Sequence, residues 1–460
     1  AATPPLTTLS RAALESTTRA RLPWLGAAGA GLALTGLGIA TLVPGGIIVA
    51  FVGLFMMLIG AAMIAPLALR FAHLVLRRLP LQGVVRMAVR DLDRHLSRLG
   101  TAGAALMVAL AASVGVAVMV ESMRGAVGDW LDALLTADVY VASDAFVDGA
   151  PLPSAVVAQA RDLPVIDGLS TYRDRNLQLG GRRVTVISAE LAPASRIGFE
   201  FVDRTASDPW AGFDAGDVLI SEPLASRLDL GAGDQIQLPT PSGDQPFRVS
   251  GVFRDFASEH GRLFIQRQTY VAHWQDRSTD TLALFGNRTT DVPALLDALD
   301  AAFGGSNLAF TAAAEIRAES MRIFDRTFQI TDVLRWLSIA VAFVGVFSAL
   351  MALQLERRKE YAVLRALGLT RSQVSSLIVL ESLALGIVAA LLAMPVGLAM
   401  AWILTAEIQL RAFGWSMPLS FFSGPYATAL LNGILAGLFA SLLPAWRSAN
   451  QNPAPQLRED

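Results

Sequence analysis

The hydrophobic pattern divides the chain into three kinds of segment. Six stretches of about 20 or more mostly apolar residues stand at 25–43, 47–69, 101–120, 333–355, 374–404 and 426–446. Each is long enough for a helix, rising about 1.5 Å per residue, to cross a hydrocarbon layer of about 30 Å. The first two are separated only by Pro44, Gly45 and Gly46, a hairpin tip. Between the third and fourth, from about residue 126 to 320, apolar and polar positions alternate and Gly, Pro, Asp and Ser break the runs. That pattern predicts short strands at 138–141, 183–187, 217–220, 235–238, 247–253 and 263–265 and helices at 153–162, 222–228 and 292–303. The fold class that follows is a polytopic α-helical membrane protein of about six spans with an inserted α+β domain, and close to two hundred residues is ample for that domain's own core.

Charge sets the orientation. Arg11, Arg19 and Arg21 precede the first stretch, and Arg70, Arg77, Arg78, Arg86, Arg90, Arg94 and Arg98 lie between the second and third. Arg357, Arg358, Lys359, Arg365 and Arg371 lie between the fourth and fifth, and Arg447 and Arg458 follow the sixth. Six alternating crossings put all four groups on one side, which the excess of basic residues in short inner loops makes cytoplasmic. The expected location is the bacterial cytoplasmic (inner) membrane, with the hairpin tip, the α+β domain and the 405–425 loop on the periplasmic or extracellular side. The expected division is a linker at 1–24, a two-span hairpin at 25–70, a cytoplasmic amphipathic helix at 71–100, a span at 101–123 and the extracytoplasmic domain at 124–332. A three-span unit at 333–447, with a charged cytoplasmic segment at 356–374, and a tail at 448–460 complete it. The opening stretch lacks the order of a signal peptide and reads as a linker cut from a longer chain.

Composition agrees: 53% of residues are hydrophobic, 17% are charged and mean hydropathy is +0.49. The net charge of -2 gives no sign of nucleic-acid binding. With no cysteine, disulfides, thiolate metal sites and thiol nucleophiles are excluded. His73, His95, His260 and His273 have no metal-ligand spacing and read as solvated or interfacial, so no metal and no cofactor are assigned. The only lysine, Lys359, follows Glu-Arg-Arg rather than a glycine-rich turn, so the chain has no phosphate-binding loop of the ATPase type. Neither a G-x-S-x-G elbow nor an H-E-x-x-H pair occurs. The chain reads as a conduit or force transmitter and not as an enzyme.

Four features inside this frame bear on mechanism. Small residues recur every fourth position at Ala27, Gly31 and Thr35, at Ala393, Gly397 and Ala401, and at Gly433, Gly437 and Ser441, a pattern that lets helices approach closely in lipid. Glu381 falls about two turns inside the fifth stretch, either as a paired or functional intramembrane group or as one reaching the interface. The segment 86–99 places Met87, Leu92, Leu96 and Leu99 near helical spacing, with Arg86, Arg90, Arg94 and Arg98 on another face, as in a helix lying on the inner surface. Asp255 and Glu259 beside His260 resemble a catalytic cluster in composition only, and a solvated loop is the expected reading.

These residues resemble a known family, the FtsX-like, MacB-type permeases of ABC transporters. The resemblance rests on RRKEYAVLRALGLTRSQV, the span after it and the PAWRSANQNPAPQLRED tail; on RMAVRDLDRHLSRLGTAGAALMVALAASVGVAV; and on DVLISEPLASRLDLGAGDQIQL followed by FRVSGVFRDF. The extra hairpin at 25–69 is similar to the C-terminal half of the long, YbbP-like permeases. The resemblance implies that a coupling helix formed by Glu356, Arg357, Arg358, Lys359, Glu360, Tyr361, Leu364, Arg365, Leu367 and Gly368 docks on a separate, dimeric ATP-binding subunit. It also implies a second permease half, in the same longer chain or another, and a hydrophobic or lipid-like substrate. Its members extrude hydrophobic compounds, release lipoproteins, export macrolides or peptides, or activate wall hydrolases; a non-transporting transmitter is therefore the alternative to an exporter.

Overall fold

The structure, a computed structural model, describes residues 6–450 except 79, 81, 95, 144–149, 206–207, 288, 305 and 357. Four helices open the chain: α1 (Leu6–Leu42), α2 (Ile47–Leu76), α3 (Gly83–Arg94) and α4 (Leu96–Leu134). There follow β1 (Val139–Ser143), α5 (Ser154–Arg161), β2 (Ile166–Leu179), β3 (Arg182–Glu190), α6 (Pro193–Arg196), β4 (Phe201–Arg204), α7 (Pro209–Asp214), β5 (Val218–Ser221) and α8 (Glu222–Leu228). Then come β6 (Gln235–Thr240), β7 (Gly243–Phe253), β8 (Arg262–Gln266), α9 (Arg267–Trp274), β9 (Thr281–Gly286), α10 (Val292–Phe303) and β10 (Leu308–Ala312). The chain ends in α11 (Ala313–Glu356), α12 (Arg358–Ala366), α13 (Arg371–Trp402), a π-helical turn (Ile403–Ile408), α14 (Gln409–Phe413) and α15 (Ser423–Asn450). Six helices among the described residues are long and apolar enough to cross a membrane, at Arg21–Leu42, Ile47–Leu76, Leu99–Leu134, Ala313–Ala352, Arg371–Phe413 and Ser423–Arg447.

The helices outrun the apolar stretches that announce them, because hydrophobicity ends at the membrane surface while the backbone hydrogen-bond ladder does not. Thus α1 begins at Leu6, inside the stretch that reads as a linker. The helix expected over 86–99 is two: α3 ends at Arg94 and α4 starts at Leu96, with His95 outside the described residues. Nor does α3 simply lie on a surface, since Ala88 and Val89 are buried and Val84 and Met87 pack with Leu377 and Ile378 of α13.

Two compact units result: Ala1–Ser122, Phe328–Ile408 and Pro418–Asp460 in one, Met123–Thr327 and Gln409–Met417 in the other. The first is helical, with Leu106, Leu110, Leu350, Leu385 and Ala393 fully buried at its centre. In lipid no apolar driving force separates helix from solvent, so close contact is set by residues without bulk. A Cβ at Gly397 would lie 2.8 Å from the Ala111 carbonyl of α4, and one at Gly437 would lie 2.5 Å from the Ser382 carbonyl of α13. Ala393, Ala401 and Ser441 are fully buried beside them, so both later small-residue ridges face helix partners. The first ridge does not: Ala27, Gly31 and Thr35 are exposed, and α1 meets α2 instead through Gly29 and Gly36, against Gly60 and Gly53. A four-residue period fits the α1 surface at either phase, and the phase is chosen by where the glycines of α2 fall.

Gly437→Leu is therefore expected to lower the stability of the detergent-solubilised protein by at least about 1–3 kcal/mol, the usual range for overpacking. Gly31→Leu, with open space around the position, is expected to leave it unchanged. Thermal unfolding of the two variants checks this; equal midpoints would contradict the assigned packing.

The second unit is built on a ten-stranded sheet in the order β10-β1-β9-β2-β3-β8-β5-β7-β4, with β6 paired to β7. The β3–β8 and β5–β7 pairs are parallel and the others antiparallel. All six strands expected from alternation are present, as are the helices at α5, α8 and α10. The alternation does not predict β2, β4, β9 and β10. The long β2 carries Arg173, Asp174 and Arg175 where alternation would ask for a simpler pattern, and its charge is met by side chains far along the chain. Arg173 donates through Nε to Asp276 at 2.9 Å and through Nη1 to Asp280 at 2.6 Å.

Burial alone would raise the Asp276 carboxyl, but the Ser278 amide and hydroxyl and the Arg173 guanidinium outweigh it and hold the group at about 2 instead of 3.8. A pKa depressed by folding stabilises the native state above the unfolded value and stops doing so as pH falls through the folded one. The stabilisation, about 1–2 kcal/mol once solvent screening is allowed for, is therefore complete above roughly pH 4 and lost toward pH 2. Asp276→Asn should speed hydrogen exchange in β2 and β9 at pH 7 and flatten its pH dependence between 4 and 2 in the intact protein. An unchanged pH profile would contradict the assignment.

Asp255 corrects another expectation. It is buried rather than solvated, 3.5 Å from Arg262 Nη1, and accepts from the Ala257 amide. Burial raises its carboxyl against the pull of those two partners. Glu259 and His260 are exposed and pair weakly with each other at 3.9 Å. The three groups form no joint site.

Candidate coupling site

The segment after α11 folds as the sequence asks. In α12, Tyr361 is 2% exposed and packs with Ala88, Val374, Leu377 and Ile378, with Leu364 beside it. The helix stops in a Schellman motif: the Gly368 amide donates to the Arg365 carbonyl and the Leu369 amide to the Leu364 carbonyl. Gly368 stands at φ +106°, a conformation that favours glycine. Thr370 then caps α13, its hydroxyl accepting from the Gln373 amide while the Gln373 side chain accepts from the Thr370 amide. That reciprocal box fixes the start of the next helix just after the last one ends. Thr-Arg-Ser-Gln is legible as such a box, a signal that hydrophobicity alone passes over.

One side of α12 is thus committed to its own unit and the other is not. Leu367 is 76% exposed and Val363 is 45% exposed, while Arg365 is half-buried. Glu356 closes α11, and Arg358, Lys359 and Glu360 open α12; Arg357 lies outside the described residues. Of the predicted residues, those from Arg358 to Arg365 lie in one short helix between two long ones, Glu356 ends the helix before it, and Leu367 and Gly368 follow it, with the apolar pair Val363 and Leu367 left uncovered.

Glu381 lies in α13 and is 2% exposed. Its neighbour Ser382 donates to the Ile378 carbonyl, and it is at the Ser382 carbonyl that Gly437 of α15 closes on α13.

A second contact goes beyond the sequence reading. The loop after the fifth span reads from sequence as a short connection, yet Gln409–Met417 belongs to the sheet unit. Gly414, at φ +81°, turns the chain after α14. Ser416 then donates to Glu222 Oε1 twice, from its amide at 3.0 Å and its hydroxyl at 2.7 Å. Glu222 begins α8 and is itself buried, with Arg254 Nε 3.9 Å from its other oxygen. Trp415 stacks on Phe413 at 5.5 Å and meets Phe256 edge-on at 5.7 Å; Phe256 in turn meets Trp130 of α4 at 6.0 Å. The close spacing of the large apolar residues Phe413, Trp415 and Met417 is the signal the sequence offers for it.

The portions of α4 and α11 within the same unit are bound side to side by two bidentate ion pairs. Arg124 donates to Asp325 at 2.8 and 3.2 Å, and Arg317 holds both oxygens of Asp132. Planar fork-to-fork pairing fixes register as well as proximity. Three chain segments of the helical unit, α4, α11 and the π turn leading to α14, thus continue into the sheet unit and are each tied down within it.

Two family models match the chain. Residues 333–453 match the FtsX-like permease C-terminal family and residues 102–302 the MacB-like periplasmic core domain. The whole chain is 37% identical, over 473 residues, to an uncharacterized ABC transporter permease protein of Mycobacterium tuberculosis, and spans 55% of that relative's length. Among solved structures, the periplasmic region of MacB from Actinobacillus actinomycetemcomitans aligns at 12% identity, covering 41% of this chain and 94% of that one, TM-score 0.32. The extracellular domain of the noncanonic ABC-type transporter YknZ from Gram-positive bacteria aligns at 10% identity, covering 38% and 98%, TM-score 0.28. A multi-pass helical protein with a large external sheet domain, carrying both family matches in this order, belongs to the FtsX-like, MacB-type family of ABC transporter permeases.

Proposed function

We propose that the chain is the permease subunit of an ATP-driven export or mechanotransmission complex of the bacterial inner membrane, extruding hydrophobic or lipid-like compounds. The ATPase activity belongs to a separate, dimeric subunit that docks on α12, and the second permease half is another copy or another part of a longer YbbP-like chain. The observation that carries this reading is the position of α12: it presents Val363 and Leu367 outward while joined directly to α11 and α13, and both of those helices lead into the sheet unit. A displacement of α12 by a nucleotide-driven partner is handed to two rigid elements, one ending at the Arg317–Asp132 pair and the other at the Ser416–Glu222 clasp. Support for the second half comes from α11, where Val333, Leu334, Trp336, Leu337, Val341 and Val344 are exposed and, among the described residues of 328–352, only Val346 and Leu350 are buried. Two such apolar faces brought together would enclose a passage suited to lipophilic cargo.

The test is reconstitution of the complex recovered with its ATPase into vesicles containing a fluorescent lipid and a lipophilic dye. ATP-dependent loss of either from the membrane is expected. Steady ATP hydrolysis with no movement of lipid or dye would reject the exporter and leave the transmitter.

A further inference from the structure

The end of α2 and the start of α3 carry a cluster of cations that the coupling reading does not use. Arg77 and Arg78 follow the last turn of α2, and Arg86 and Arg90 lie one turn apart on α3. His73, buried, donates from Nδ1 to the Val89 carbonyl at 2.6 Å and so holds the two helix ends together. The result is a cavity of about 480 Å³ lined by His73, Arg77, Arg78, Arg86, Val89 and Arg90. The four arginines are exposed, and among the described residues no carboxylate lines the cavity. Directly beside it lies a groove of about 520 Å³ whose lining is wholly apolar, including Phe71, Val75 and Val85 on one wall and Leu383, Ile387 and Leu391 of α13 on the other. Val89 lines both spaces.

We propose that this paired cavity is a binding site for one anionic phospholipid of the inner leaflet, its phosphate among the arginines and an acyl chain in the groove. Guanidinium groups bind phosphate oxygens bidentately and stay charged at any physiological pH, so four of them gathered in one cavity favour an anion there. A basic pocket between helices on the cytoplasmic side of a membrane protein meets such anions as lipid headgroups. A free polyphosphate or an acidic protein surface would fill the first cavity and leave the groove bare; only a lipid uses both with one molecule. The site needs only that the chain spans the bilayer, and stands apart from the export reading.

Native mass spectrometry of the delipidated full-length protein, titrated with phosphatidylglycerol and with phosphatidylcholine of matched chains, tests it. Phosphatidylglycerol is expected to be retained at least tenfold more strongly. Arg77→Gln with Arg86→Gln should bring it down to the phosphatidylcholine level, with the circular dichroism spectrum unchanged. Ile387→Trp, which fills the groove, should weaken phosphatidylglycerol as well but leave inorganic pyrophosphate binding untouched. Equal retention of both lipids, or undiminished phosphatidylglycerol retention in the arginine variant, would overturn the proposal. So would pyrophosphate binding as tightly as the lipid with no effect of Ile387→Trp, which would mark a phosphate-only site. Loss of the associated ATPase in the arginine variant, with lipid retention unchanged, would assign the cluster to an acidic protein surface instead.

Discussion

Leu367→Asp is expected to abolish recovery of the ATP-hydrolysing subunit with this permease, weakening the complex by at least thirtyfold while the permease itself stays folded. The reasoning is local. Leu367 is 76% exposed, more than Val363 one turn before it, so most of its side chain is left uncovered by the described residues of its own unit. Truncating or charging an apolar anchor at the centre of a docking patch removes at least about 2 kcal/mol, which is about thirtyfold in affinity. The permease loses no contact of its own, so its unfolding midpoint should not move. Tyr361→Ala is the informative comparison: that side chain is buried against α3 and α13, so the substitution should destabilise the helical unit first and weaken association only through it. Co-purification and thermal unfolding measured on the same preparations separate the two. If Leu367→Asp retains the partner at wild-type yield, α12 is not the docking element.

The second large effect is expected at the opposite end of the same chain of contacts. Glu222→Ala should leave the ATPase bound and turning over while ATP-dependent work by the external domain is lost. Glu222 accepts two hydrogen bonds from one residue, Ser416, with its carboxylate withdrawn from water. Hydrogen bonds to a charged group are worth roughly 1.5–3 kcal/mol each in proteins, and their loss loosens a short segment whose other anchors include the Trp415 and Phe413 ring contacts and the buried Met417. Amide exchange in 409–417 should rise by at least about a hundredfold, the signature of local opening once both bonds are lost at that energy. Glu222→Gln keeps the acceptor oxygen and should lie between the two. Coupled activity in Glu222→Ala equal to that of the wild type would remove the clasp from the mechanism.

Much of this architecture is legible in the amino-acid sequence, and the parts that are not share a cause. Membrane spans are announced by length and apolarity because the bilayer imposes both. The helices at α8 and α10 announce themselves through Pro at their second position and a closing apolar pattern. What local pattern hides is set by distant partners. β2 is held between β3 and β9, and the charge that obscures its alternation is met by Asp276 and Asp280, a hundred residues on from Arg173. The 409–417 segment joins the sheet unit because Glu222 and Phe256 receive it. On α1 the sequence picks out Ala27, Gly31 and Thr35 while α2 is met at Gly29 and Gly36, because four-residue spacing fixes a period and not a phase. Asp255, which reads as solvated, is buried because Arg262 arrives from the next strand to meet it. The α12 segment is legible for the opposite reason: its stop and the restart of the next helix are local, written in Gly368, Thr370 and Gln373.

A push on α12 should be felt in the sheet unit through α11 and through α13 with its π turn, and the proposed coupling depends on that transmission. Hydrogen exchange of the reconstituted complex, compared with and without ATP trapped by vanadate, measures this directly. Nucleotide trapping should change protection in 409–417 and around Trp130 and Phe256 in the wild type, and change nothing there when Leu367→Asp has uncoupled the partner. Vigorous ATP turnover in the wild type with identical exchange in those segments in both states would contradict it.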